Sequence, residues 1–179
     1  MLRRLLLLAL PLACRPADTT AEITRGRGLE AVTLPPAGEA SVYESAIRAA
    51  FDIAPGLSLY LHPRRLPRSA GTEGGEPISA GLAAKLRSRG VLQGTCEPTR
   101  AAPGATPTCN VVEPGYIIRG SDILRVGKDT LQIYFAAERF ATPTGVKQPP
   151  FHFEKIYQLV REGSGWRVAR EARVAEEKS

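Results

Sequence analysis

The chain has 179 residues, 43% of them hydrophobic, and a formal net charge of +6 with a pI near 9.5. That length suits one domain of ordinary size, and the apolar content is enough to build a core. The basic excess is spread along the chain, with neither a concentrated patch nor a recognition motif, which argues against nucleic-acid binding and for solubility or weak attraction to anionic surfaces.

Residues 1–13 have the form of an export signal. Arg3 and Arg4 supply the positive end, Leu5 to Leu12 form an apolar run broken by Pro11, and the small Ala13 closes it. The run is too short for a bilayer core, which needs about 20 apolar residues. Leu12, Ala13 and Cys14 then resemble the lipoprotein signal of bacteria, in which the cut falls before a cysteine that receives lipid; Pro11 departs from the usual Leu or Val. The resemblance implies lipidation at Cys14, a membrane partner through that anchor and a cell-envelope location on the periplasmic or outer-membrane side. Plain secretion is the alternative. Loss of Arg3 and Arg4 reduces 24 basic residues to 22 against 18 acidic ones, a net +4.

Residues 14–40, rich in Thr, Gly, Pro and charge, are expected to form a flexible tether with a short strand within Leu29 to Leu34. Ser41 and Glu44 then stand at capping-box spacing, and Tyr43, Ile47 and Phe51 recur on one face, which predicts a helix from Val42 to Phe51 ended by Pro55-Gly56. A strand follows over Leu57 to Leu61. The stretch from His62 to Pro77 is expected to be loop, and Ser79 to Gly90 a second helix with Lys85, Arg87 and Arg89 at its negative end.

Cys96 and Cys109 enclose a segment of Pro, Gly, Ala and Thr that will not hold a shape unaided. In an exported chain this even pair is expected to close a disulfide. Zinc is the rival, but two cysteines without a nearby histidine fall short of four ligands.

The C-terminal third alternates β-branched and aromatic runs with Gly-containing turns: Gly115 to Gly120, Asp122 to Gly127, Thr130 to Phe140, Phe151 to Glu162 and Gly165 to Val174. Across the turn at Gly163-Ser164, the expected register pairs Arg161 with Trp166, Leu159 with Val168 and Tyr157 with Arg170. It puts Phe151, Phe153, Tyr157, Leu159, Trp166 and Val168 on a core face. The other face, with His152, Glu154, Ile156, Gln158, Val160, Arg167, Ala169 and Glu171, is mixed and expected to be wet. The fold class is therefore α+β: two N-terminal helices packed on a curved antiparallel sheet of four to six strands. The domain spans 41–175, with a tail at 176–179. The order of elements is similar to the cone-shaped roll of the NTF2-like group, which implies a curved sheet with a pocket on its concave side.

Two sets of residues are candidates for chemistry. His152 and Glu154 lie two apart on one strand face, with Glu138 and Tyr134 on the preceding strand. A histidine oriented by a carboxylate is the beginning of a general-base site, and equally an ordinary polar group of a sheet surface. Arg64, Arg65 and Arg68 lie in seven residues with His62 and two prolines, a set suited to a phosphate or carboxylate, or to a solvated loop. No nucleophile elbow or phosphate-binding glycine loop is present. Two histidines 90 residues apart define no metal site, and no cofactor is expected. The class that fits is a lipid-anchored envelope protein that works by binding an envelope protein or small ligand, or structurally, without catalysis. The alternative is a small-molecule enzyme or carrier using the concave face.

Overall fold

A computed structural model of the chain describes residues 28–51, 58–66, 75–96, 115–140 and 152–173. Cys14, Arg68, Cys109, Phe151 and the tail lie outside them.

Chain order is β1 (Glu30–Ala31), α1 (Pro36–Ala50), β2 (Ser58–Leu61), α2 (Leu82–Ser88), β3 (Gly94–Thr95), β4 (Gly115–Gly120), β5 (Leu124–Gly127), β6 (Thr130–Phe140), β7 (His152–Glu162) and β8 (Gly165–Arg173). The class is α+β, as expected, but the sheet differs from the expectation in two ways. Among the described residues it has eight strands, and it is mixed and curled into a half-barrel. Strand β2 runs parallel to both β3 and β4, while β5, β6, β7 and β8 form the expected antiparallel series. Local alternation shows that a segment is a strand, not which distant strand it joins, so the two parallel pairings leave no mark on the sequence.

Helix α1 starts at Pro36, well before Val42. Proline suits the first helical position because its fixed φ is helical and its missing N–H is one that the first turn cannot pair. Ser41 and Glu44 are therefore inside the helix and do not cap it. Ser41 Oγ faces Gly165, and Glu44 pairs with Arg48 at 3.0 Å and Arg89 at 2.9 Å. The buried stripe is Glu39, Ala40, Val42, Tyr43, Ala46 and Ile47. Helix α2 buries Leu82 and Leu86, and Gly90, at φ +70°, turns the chain so that Val91 N–H reaches the Leu86 carbonyl at 2.9 Å.

Under the helices lies one core face: Leu59 and Leu61, Ile118, Leu131, Ile133, Phe135, Ala137, Tyr157 and Leu159, with Trp166 and Val168 packed against it. Phe135 stands edge-on to both Tyr43 and Tyr157, at 5.5 and 6.3 Å between ring centres. The expected pairs Arg161 with Trp166 and Leu159 with Val168 are present, but a bulge follows: Gln158 faces Arg170, and Tyr157 faces Glu171 instead of Arg170. Ala169 is the extra residue. Beyond it the alternation changes sides, and Glu171 comes to pair with Lys155 at 2.6 Å. The second face is not wet at its centre either. Ile156 is fully buried, and Ile117, Gln132, Tyr134 and Ala136 are nearly so.

Strands β4 and β5 follow each other along the same edge of β6. Where β4 stops, Ser121 keeps the ladder satisfied: its N–H donates to the Tyr134 carbonyl at 2.8 Å, and its hydroxyl accepts from Tyr134 N–H at 3.0 Å.

Candidate functional site

The strand candidates are brought together in register. Glu138 stands opposite His152, Ala136 opposite Glu154 and Tyr134 opposite Ile156, so two-residue alternation puts all four candidate positions on the sheet's second face. Tyr134 is buried there, and Glu154 is half-buried. The face also carries a Gln158 to Gln132 side-chain hydrogen bond of 3.3 Å.

The arginine candidates separate. Arg64 is exposed, and Arg65 is drawn inward. Its guanidinium holds Glu39 at 2.6 Å through Nη2 and Asp122 at 3.3 Å through Nη1. Ser79 Oγ donates to the other oxygen of Glu39. Four segments meet at this point: the first turn of α1, the segment after β2, the lead into α2, and the β4–β5 connection.

The backbone delivers Arg65 to that position. Residues 62–66 and 75–78 run as an antiparallel ribbon in which Arg65 N–H donates to the Glu76 carbonyl at 2.7 Å and Ile78 N–H to the Pro63 carbonyl at 3.0 Å. Leu66 N–H ties the ribbon to the Gly120 carbonyl at 2.8 Å, and Arg119 Nε donates to the carbonyls of Arg64 and Arg65 at 3.1 Å each. His62 Nδ1 lies 3.0 Å from both the backbone nitrogen and the carbonyl oxygen of Arg64. Gly75 is obligatory, since a Cβ there would sit 1.9 Å from the Arg65 carbonyl oxygen.

Beneath this cluster, the Tyr43 hydroxyl donates to the Ser121 carbonyl at 3.2 Å. Burial pushes its phenol well above the ordinary tyrosine value; Arg65 pulls in the opposite direction, and Glu39 and Asp122 add to the rise. Tyr157 is likewise shifted upward, chiefly by burial and further by Glu171. Its hydroxyl is buried and has no hydrogen-bond partner among the described residues.

Arg65 is engaged by both Glu39 and Asp122, so its guanidinium is taken up within the fold. A serine on a carboxylate has the outline of a nucleophile and its base. Both Glu39 oxygens are engaged, however, one by the Arg65 guanidinium and the other by the Ser79 hydroxyl. The arrangement acts as a clamp. Glu39, Ser79 and Asp122 were not among the sequence candidates, yet Glu39 carries a signal: it continues the row of Tyr43, Ile47 and Phe51 one turn earlier. A carboxylate on an apolar row needs a cation.

Cys96, 2% exposed, is disulfide-bonded; Cys109 and Cys14 both lie outside the described residues. Among the described residues no group of three or more His, Cys, Asp or Glu is placed to hold a metal ion, and no helix is long and apolar enough to cross a membrane.

Comparison with known proteins returns no match: no family model fits the chain, and no curated protein or solved structure resembles it at a significant level. Its role is to be read from its own residues.

Proposed function

We propose that this is a lipid-anchored cell-envelope protein whose α+β domain binds a partner or serves structurally, without catalysis. The observation that carries the reading is the N-terminal sequence, a charged start and apolar run ending in Leu12, Ala13 and Cys14. The disulfide at Cys96 supports it, because such bonds persist in oxidising compartments outside the cytosol. Arg65 and Glu39 are engaged with each other, which favours a structural role for this pair.

The test is the intact mass of the mature protein recovered from a bacterial membrane fraction, with and without reductant. The expected mass is that of Cys14 to Ser179 plus acyl chains, rising by about 2 Da on reduction of the Cys96–Cys109 bond. A protein starting near Glu22, or one found in the cytosol with Met1 intact, refutes the anchor.

A second reading, a small-molecule enzyme or carrier of the NTF2-like type, is favoured by one observation: the register that sets Glu138 opposite His152 with Glu154 and Tyr134 on the same face. Its test is His152→Ala against a panel of small carboxylic and phosphorylated ligands. Binding by the parent protein that H152A abolishes without loss of stability would favour it over the first.

A further inference from the structure

We infer that the end of the domain formed by the β5–β6 and β7–β8 turns is a docking surface for an anionic lipid bilayer. This rests on the reading of Cys14 as the lipid anchor. Thirteen residues lie between Cys14 and Gly28, a length that as a flexible coil would span about 20 Å on average. Where that length ends is fixed by β1: Glu30 pairs with Arg125 and Ala31 with Leu124, antiparallel, so the chain enters the domain beside Val126, Gly127 and Lys128. The second turn lies alongside, since Arg161 N–H donates to the Asp129 carbonyl at 3.1 Å. An anchored domain on so short a lead holds this end nearest the membrane.

The side chains there suit a bilayer. Val126, 41% exposed, is the one large apolar side chain that stands exposed among the described residues, and it lies between Arg125 and Lys128 at the tip. Arg125, Lys128 and Arg161 are exposed, against the acids Glu30 and Asp129; Arg167 and Glu162 pair with each other at 3.4 Å. Three basic side chains against two acidic ones leave the tip with a net positive charge. An apolar residue ringed by basic ones places its methyls at the acyl boundary while the cations meet anionic headgroups.

The test uses the acylated full-length mature protein, with the native Trp166 replaced by Phe, in vesicles of phosphatidylglycerol and brominated phosphatidylcholine; tryptophan is placed either at the tip, Val126→Trp, or at Ala49, an exposed position near the other end of α1. Bromine quenching of the V126W emission should exceed that of A49W at least about twofold, as expected for an indole at the headgroup level. Adding Lys128→Glu and Arg161→Glu should return it to the A49W level. An acylated protein whose V126W emission is no more quenched than that of A49W overturns the docking while leaving the anchor intact. An unacylated mass overturns the anchor and the docking with it. A dimer in detergent that V126D dissociates would assign the patch to a second copy of the chain and overturn the lipid assignment.

Discussion

Replacing Arg65 by methionine isolates what the clamp contributes. The substitution keeps most of the side chain's length and apolar stem but removes the guanidinium, leaving Glu39, 4% exposed, with only the Ser79 hydroxyl. Asp122 is better placed to recover, because 26% of its side chain already reaches solvent. Most of the penalty therefore falls on Glu39. Removing one partner of a buried pair costs about 3–5 kcal/mol, a large share of the roughly 5–15 kcal/mol that holds a domain of this size. The assay is urea denaturation followed by Trp166 fluorescence and far-ultraviolet circular dichroism, with two controls. The double variant Glu39→Gln, Arg65→Met should recover part of the loss, because no uncompensated charge stays buried. Arg48→Ala, in a pair whose arginine side chain is 49% exposed, should cost no more than about 0.5 kcal/mol. If R65M costs no more than R48A, the cluster is a surface pair and the clamp is refuted. If R65M is stable but loses binding to an anionic ligand, Arg65 belongs to a binding site after all.

Three further outcomes follow from the same geometry. The phenols of Tyr43 and Tyr157 are shifted above the ordinary value of 10.0, so the stability they give is complete below pH ~10 and falls as pH rises further, by up to about 1.4 kcal/mol per unit for each; urea midpoints between pH 9 and 11 should show this slope, and Y43F should reduce it. Tyr157→Phe should be neutral or stabilise by up to about 1 kcal/mol, since it removes a buried hydroxyl without a partner among the described residues; a clear loss of stability would show that the hydroxyl is satisfied by a bound water. Gly120→Ala sets a Cβ 2.8 Å from the Tyr43 ring and should lower the urea midpoint by the equivalent of about 1–3 kcal/mol, while Gly94→Ala, with open space at its Cβ position, should not.

What could be read from the sequence was whatever the chain repeats locally. The period-two runs from Gly115 onward became β4 to β8, and the row of Tyr43 and Ile47 became the inward stripe of α1. Ser41 and Glu44 imitate a capping box and point to a start at Val42, whereas the helix begins at Pro36. The far half of β8 lies on the face opposite to the one its alternation implies because one unpaired residue, Ala169, reverses that alternation, and nothing in a run of Arg, Val, Ala and Glu marks a bulge in advance. The clamp was hidden for a different reason. Its members, Glu39, Arg65, Ser79 and Asp122, come from four segments up to 83 positions apart, and only the burial of Glu39 on an apolar row announces that such a partner must exist.

The clamp also explains how so polar a segment as residues 62–66 belongs to the folded domain. The break between β4 and β5 leaves the edge of β6 without a continuous neighbour, and two devices close it. Ser121 pairs the backbone of Tyr134, and the ribbon lies across Gly120 with Arg65 reaching to Glu39 and Asp122. An apolar plug would fill the same space with less desolvation cost but would accept many placements of the ribbon. A guanidinium between two carboxylates accepts few, because each hydrogen bond has a direction. Charge here fixes which segments meet. Outside the clamp, at the tip where the chain enters, Arg125, Lys128 and Arg161 are exposed along with Val126.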